Sequence, residues 1–167
     1  LEELGRTMEA MDSYERAASI EASDAGVWNR LGIVHMRINN HDRAGDCFDQ
    51  ALKLEPRRKD IWLNRAALME KVRRNEEALK SYDNALGLDS EDKVAWNGKG
   101  MVLLQMEKYD QAKRAFDKAL QIDPGMDSAA EGRRIAENKL REMEISEYAE
   151  KIMELEYRQN KRVTKEE

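Results

Sequence analysis

Apolar residues along this chain recur mostly at intervals of three and four positions, the spacing of one face of an α-helix. In residues 41–54, Ala44, Phe48 and Ala51 form one such stripe, with charged and polar residues between them. Pro56 follows, and proline cannot continue a helix. The pattern therefore predicts a helix over 41–54. By the same reasoning, further helices are predicted over about 26–38, 60–72, 75–88, 94–106 and 109–122.

These helices recur in pairs with a period of 34 residues, the step that separates Trp28, Trp62 and Trp96. Other positions that recur every 34 residues, which we call columns of the repeat, also hold residues of similar kind. They are Ala44, Ala78 and Ala112; Phe48, Tyr82 and Phe116; Ala51, Ala85 and Ala119; Leu52, Leu86 and Leu120; and Leu54, Leu88 and Ile122. A repeat of two helices is a hairpin, and hairpins in series stack into a solenoid.

One column of the repeat holds only very small residues, Gly32, Ala66 and Gly100. Glycine inside a helix costs about 1 kcal/mol relative to alanine, so its presence needs a reason. Two helices approach closely only where side chains are small, and large neighbours such as Phe48 then fill the space beside the contact. We therefore predict that these glycines allow close packing within each hairpin.

The residues of this period resemble the tetratricopeptide repeat family, with W-x-x-L-G at 28–32, A-x-x-x-F at 44–48, Ala51 and Pro56. The resemblance implies an all-α fold, a right-handed superhelical solenoid of antiparallel helical hairpins. It also implies a concave face lined by the first helix of each hairpin. The chain then divides into a partial repeat at 1–24, with the end of a first helix and a second helix, and complete repeats at 25–58, 59–92 and 93–126.

The repeat pattern decays after the third complete repeat. Ala130 stands where tryptophan is expected, and Arg134 stands where the small residue is expected. Terminal repeats of a solenoid are atypical because their outer face is solvated. We therefore predict a pair of capping helices at 127–160. Residues 161–167 are predicted to be a tail or the start of a truncated helix, with Thr164 as its N-cap.

Composition narrows the classes of partner. The 167 residues are 38% charged with a net charge of −5, whereas nucleic-acid binders normally present a basic surface, so no nucleic-acid partner is expected. A single cysteine cannot form an internal disulfide, which favours a reducing compartment, and we expect a cytoplasmic protein. No apolar run approaches the roughly 20 residues that span a bilayer, so no membrane association is expected.

The residues that could carry chemistry are few. His35, His41, Asp46 and Cys47 lie close together in the sequence, but their spacing fits no usual zinc pattern. His35 shares a column with Met69 and Leu103, which predicts a packing role. There is also no glycine-rich phosphate loop. We expect no enzymatic activity, no cofactor and no metal site.

The family resemblance implies which side chains line the concave groove, where its members bind extended peptides or partner helices. The implied residues are Asn29, Ile33, Met36 and Arg37 in the first complete repeat, Leu63, Asn64, Ala67 and Glu70 in the second, and Asn97, Met101, Leu104 and Gln105 in the third. Asparagine can both donate to and accept from a peptide backbone, and methionine suits adaptable binding surfaces. The alternative for each apolar residue is packing between neighbouring hairpins.

The best understood chemistry of this groove in the family is a clamp for the C-terminal carboxylate of chaperones, made of three cations and two asparagines. The matching positions here hold Asn29, Ile33, Asn64, Val94 and Gly98, and only Asn64 fits. Without the cations a bound carboxylate would lose its water with little compensation. A receptor for chaperone tails is therefore not expected.

The sequence thus predicts a non-catalytic adaptor that binds a protein or peptide ligand in the groove. The alternatives are a self-associating structural scaffold and an accessory interaction domain of a larger protein. Self-association would use apolar residues of the partial first repeat or of the C-terminal helix, which alternatively folds back over the groove. These residues are Met8, Met11, Tyr14 and Ile20 at one end and Tyr148, Ile152 and Tyr157 at the other.

Overall fold

The computed structural model describes the backbone of residues 2–163 and the side chains of residues 9–158, and this part of the chain is helices joined by short turns. The helices are α1 (Glu2–Ile20), α2 (Ala25–Arg37), α3 (His41–Leu54), α4 (Lys59–Lys71), α5 (Asn75–Leu88), α6 (Lys93–Gln105), α7 (Tyr109–Ile122) and α8 (Asp127–Val163). Helices α2 and α3, α4 and α5, and α6 and α7 pack as hairpins, and successive hairpins contact one another. The all-α solenoid predicted from the period is confirmed.

Aromatic rings packed against glycines form the centre of two hairpins. Phe48 and Phe116 are both fully buried. A Cβ atom on Gly32 would lie 2.6 Å from Cε1 of Phe48, and one on Gly100 would lie 2.6 Å from Cε1 of Phe116. Such separations are far inside van der Waals contact. The column of small residues therefore exists because the ring of the second helix lies directly on the backbone of the first.

Each hairpin turns through a residue in the left-handed region of backbone conformation. These residues are Asn39, Arg73 and Glu107, with φ of 59°, 58° and 58°. In every case the next residue donates its backbone N–H to the carbonyl oxygen five residues earlier, at 2.9 Å. This bond closes the end of the first helix in the way of a Schellman motif. The three turns thus share one geometry although none contains glycine.

The three tryptophans tie each hairpin to the loop before it. Nε1 of Trp28, Trp62 and Trp96 donates to the carbonyl oxygen six residues earlier, at 2.9 Å in all three repeats. The rings are half-buried and pack against the main apolar core. The joint between consecutive hairpins is therefore built from the same contact three times.

The N-terminal region is one helix that packs against the first hairpin. Met11 and Tyr14 of α1 are half-buried against the cluster that contains Leu31 and Cys47, while Ile20 is largely exposed. Helix α1 runs without a break from Glu2, so the end of a first helix predicted within 1–24 is wrong. A lone glycine weakens a helix but does not end it. The side chain of Met8, named for self-association, lies outside the described side chains.

The C-terminal region is also a single helix, so the predicted pair of capping helices at 127–160 is wrong. Residues 143–146, near the middle of this span, contain neither glycine nor proline, and nothing in them ends a helix. Residues 161–163 continue α8. Residues 164–167, with the predicted N-cap Thr164, lie outside the described residues.

The two halves of α8 have different surroundings. In the first half Ala129 and Ala136 are fully buried, and Phe116 lies against Gly132. This half takes the place that the first helix of a next hairpin would occupy. Residues 141–158 are exposed throughout, and α8 contacts only α6 and α7 among the described elements. The arrangement in which this helix folds back over the groove is therefore wrong for the described residues.

Candidate functional site

The predicted groove residues all lie on α2, α4 and α6, the first helices of the three hairpins, which neighbour one another. Their exposure divides them into three groups. Arg37, Ala67, Met101 and Gln105 are exposed; Ile33, Met36, Leu63, Asn64, Glu70, Asn97 and Leu104 are half-buried; and Asn29 is buried. The helices bring the residues to neighbouring positions, and their role in binding stays a prediction.

Several apolar groove residues are also part of the core. Ile33, Met36 and Leu63 pack partly against the main core, and Leu104 packs against the cluster around Phe116. The alternative that these side chains pack between hairpins therefore holds for part of their surface. Substituting them would disturb the fold as well as any ligand contact.

The exposed apolar surface of the first helices is concentrated on α6. Val94 is 55% exposed and Met101 is 38% exposed. Asn97 lies three residues after Val94 and four before Met101, so the three side chains share one face of the helix. The side-chain oxygen of Asn97 is buried and has no hydrogen-bond partner among the described residues. This face of α6 thus presents the exposed apolar side chains of Val94 and Met101 on either side of Asn97, whose amide oxygen has no partner among the described residues.

The corresponding asparagines of the other two hairpins are used within the array. Nδ2 of Asn64 donates to Oδ1 of Asn29 at 2.9 Å, and Nδ2 of Asn29 donates to Oδ2 of Asp60 at 3.4 Å. Asp60 also accepts from Nη2 of Arg58 at 2.7 Å, and this hydrogen bond lowers the pKa of the Asp60 carboxyl. The network connects α2 to α4 and holds both amides in place.

A buried tyrosine from the second hairpin, Tyr82, packs against α6, a contact that sequence reasoning missed. A Cβ atom on Gly98 would lie well inside 3.0 Å of the Tyr82 ring and hydroxyl. Oη of Tyr82 donates to Oε2 of Glu70 at 3.0 Å, and burial raises the pKa of the tyrosine. The signal was Gly98 itself, which lies sixteen residues after Tyr82. Gly132 lies at the same distance after Phe116 and contacts its ring in the same way, so the contact belongs to the stacking of successive hairpins.

Another concavity lies away from the groove, between α6 and α7. It is lined by Trp96, Lys99, Gln111 and Arg114 among others, and contains none of the predicted groove residues. Nζ of Lys99 lies 5.4 Å from the centre of the Trp96 ring and forms an ion pair with Asp83 at 2.6 Å. The lysine of this concavity is thus already engaged, with the Trp96 ring and with Asp83.

The four residues considered for metal binding differ in burial, since Asp46 is exposed and His41 is half-buried. His35 and Cys47 are buried, and burial raises the pKa of the Cys47 thiol to about 11. No group of three or more histidine, cysteine, aspartate or glutamate side chains that could hold a metal ion occurs in residues 9–158. None of the helices within the described range has the length and apolar character required to cross a bilayer.

Comparison with known proteins supports the repeat assignment. Two models of the tetratricopeptide repeat match the chain, one over residues 25–58 and the other over residues 94–126. No curated protein sequence matches the chain.

Solved structures of the same architecture superpose on most of the chain. The crystal structure of MamA has a TM-score of 0.77 and 18% identity, covering 89% of this chain and 82% of MamA. YrrB, described as a TPR protein with an unusual peptide-binding site, has a TM-score of 0.70 and 23% identity over 81% of this chain and 70% of its own. The first TPR of Spaghetti (RPAP3), bound to the HSP90 peptide SRMEEVD, has a TM-score of 0.69 and 20% identity. The match covers 71% of this chain and 94% of the RPAP3 domain. The 34-residue period, the glycine–aromatic packing and the two family-model matches together support a tetratricopeptide repeat protein.

Proposed function

We propose that this protein is a non-catalytic interaction module that binds an extended peptide or a partner helix on its concave face, centred on α6. The observation that carries the proposal is the juxtaposition of exposed Val94 and Met101 with the unsatisfied amide of Asn97. Apolar anchors beside a few polar groups are what a peptide-binding surface requires. Two solved structures of this fold, YrrB and RPAP3, are described with peptide sites.

The apolar part of the proposed site continues from α6 to α4. Ala67 occupies the position of α4 that Met101 occupies on α6, and it is exposed. Its small side chain leaves room beside the methionine for an apolar side chain of the ligand. Methionine adapts its shape to such a side chain at little cost, which favours a site that accepts several residue types.

The polar part of the proposed site is Asn97. An unsatisfied buried amide oxygen costs about 1–3 kcal/mol, and a backbone N–H of the ligand would relieve that cost once the side chain turns towards the groove. Asn29 and Asn64 bond to each other and contribute less. We therefore place the main hydrogen bond to the ligand backbone on α6.

We propose further that the groove does not act as a carboxylate clamp. Ile33 and Val94 stand where the clamp has an asparagine and a lysine, and an arginine side chain at Gly98 would collide with Tyr82. Glu70 beside the tyrosine hydroxyl adds negative charge at that point. A terminal carboxylate there would meet repulsion in place of cations. The protein should therefore not bind SRMEEVD, the peptide bound by RPAP3.

The test combines selection of peptide ligands with two matched variants. Peptides selected from a phage-displayed random library on the wild-type protein are measured by calorimetry against Met101→Asp and Leu88→Asp. Met101 and Leu88 are 38% and 37% exposed, but Leu88 lies at the end of α5, outside the groove. We expect Met101→Asp to weaken binding at least about tenfold and Leu88→Asp to change it by less than about twofold. Equal losses in both variants, or tight binding of labelled SRMEEVD to the wild type, would overturn the proposal.

The expectations about nucleic-acid binding, cellular location and catalysis remain proposals, and each rests on one observation. The lack of a nucleic-acid partner rests on the net charge of −5, and the cytoplasmic location rests on the single cysteine. We propose no catalytic role, because His35 and Cys47 are buried in packing positions.

A further inference from the structure

The distal half of α8 carries the largest concentration of exposed apolar side chains in the described chain. Seven of the twelve exposed large apolar residues lie between Met143 and Tyr157. An isolated helix of this length is marginally stable in water, and an exposed apolar face of this kind marks an interface. We propose that this segment, residues 141–158, pairs two copies of the chain as a short parallel coiled coil.

The spacing of the apolar residues is that of a coiled-coil seam. Ile145, Tyr148, Ile152 and Leu155 follow one another at three, four and three residues and are all exposed. This is the a and d pattern of two heptads, with isoleucine at a and leucine in one d position, which favours two-stranded pairing. Two heptads form a small interface, so the dimer should dissociate on dilution.

The charges beside the seam favour a second copy of this chain in parallel orientation. In a parallel pair Lys151 of each helix faces Glu156 of the other, which gives two attractive contacts. In an antiparallel pair with the same seam, Glu144 would face Arg158, but Lys151 would face its own copy and Glu142 would face Glu156. Such like-charge pairs are unfavourable. The antiparallel pair would have three like-charge contacts against two attractive ones, so the charges favour the parallel orientation.

The position of the seam around the helix leaves space for a partner. Ala136, whose side chain is fully buried against the array, marks the inner side of α8. With 3.6 residues per turn, the four seam residues lie on average roughly 140° from Ala136 around the helix axis. A second α8 would therefore approach from the side away from the hairpins, and the two arrays would project outwards from the pair.

The first test is the mass of the 167-residue chain in solution. Light scattering after size exclusion, over a concentration series of roughly 5–500 µM, should show a rise from 19.4 kDa towards twice that mass. Ile152→Asp should keep the protein monomeric at every concentration. Met153→Asp is the matched control, because Met153 is 59% exposed against 55% for Ile152 but lies off the seam. A wild type that stays at 19.4 kDa throughout, or equal effects of both variants, would overturn the proposal.

The second test addresses orientation. Glu156→Lys should weaken a parallel dimer at least about tenfold, because Lys151 then faces a lysine, and adding Lys151→Glu should restore it. The same Glu156→Lys substitution would strengthen an antiparallel dimer, where residue 156 faces Glu142. A tighter dimer in the single variant would therefore refute the parallel arrangement. Circular dichroism of each variant checks that the helical content is unchanged.

Discussion

Replacement of Gly100 by alanine tests the packing on which the array depends. Phe116 is fully buried, and the new Cβ would lie 2.6 Å, 2.8 Å and 2.9 Å from three of its ring atoms. The ring cannot move away, because Gly132 lies against it from α8. Overpacking of this kind costs up to about 3 kcal/mol, and the better helix propensity of alanine returns about 1 kcal/mol. We expect a net loss of about 2 kcal/mol.

Thermal unfolding followed by circular dichroism measures this loss as a fall of about 4–8 °C in the midpoint for a chain of this size. The matched control is Gly45→Ala, in the interior of α3, where a Cβ would lie at an ordinary 3.8 Å from Cδ2 of Leu68. This substitution should raise the midpoint by about 2–4 °C, because only the propensity term acts. Should Gly100→Ala prove as stable as Gly45→Ala, the Phe116 ring is not confined as described.

The remaining predictions concern two buried groups. Burial lowers the pKa of His35 below 6.5, so the unfolded chain binds a proton that the folded chain does not, and stability should fall as the pH drops below about 6.5. His35→Met should reduce the difference in thermal midpoint between about pH 7.5 and about pH 5.5, and an unchanged difference contradicts the assignment. Burial raises the pKa of Cys47 to about 11, so iodoacetamide at about pH 8 should alkylate it at least about tenfold faster in urea than in buffer. Equal rates would show that the thiol is accessible in the folded protein.

The sequence period was sufficient for the architecture and for most helix limits. The helices predicted over 41–54, 75–88 and 109–122 have those limits in the structure. The first helices begin one residue earlier than predicted. At Asp24 and Asp92 the side chain accepts hydrogen bonds from the second and third residues after it and so starts the helix at once. A period of apolar residues reports which face is buried, whereas the cap determines where the helix begins.

The side-chain contacts between neighbouring first helices depend on how the hairpins stack. The 34-residue pattern identifies equivalent positions but does not specify the offset between neighbouring hairpins. The engagement of Asn29 with Asn64 and Asp60 requires α2 and α4 to lie side by side at the observed offset. The contact of Tyr82 with Gly98, like that of Phe116 with Gly132, forms between one hairpin and the helix that follows it. The continuity of α8 was missed for a different reason, because a decayed repeat suggested a hairpin although no residue in it ends a helix.

The tryptophan joints determine how the array deforms. Each indole N–H bond connects a hairpin only to the loop immediately before it, and the three bonds have the same length. The array is therefore a row of similar joints, and its curvature is the sum of small rotations at them. Tension applied between its ends would load these joints alike, so gentle stretching would straighten all of them by similar amounts.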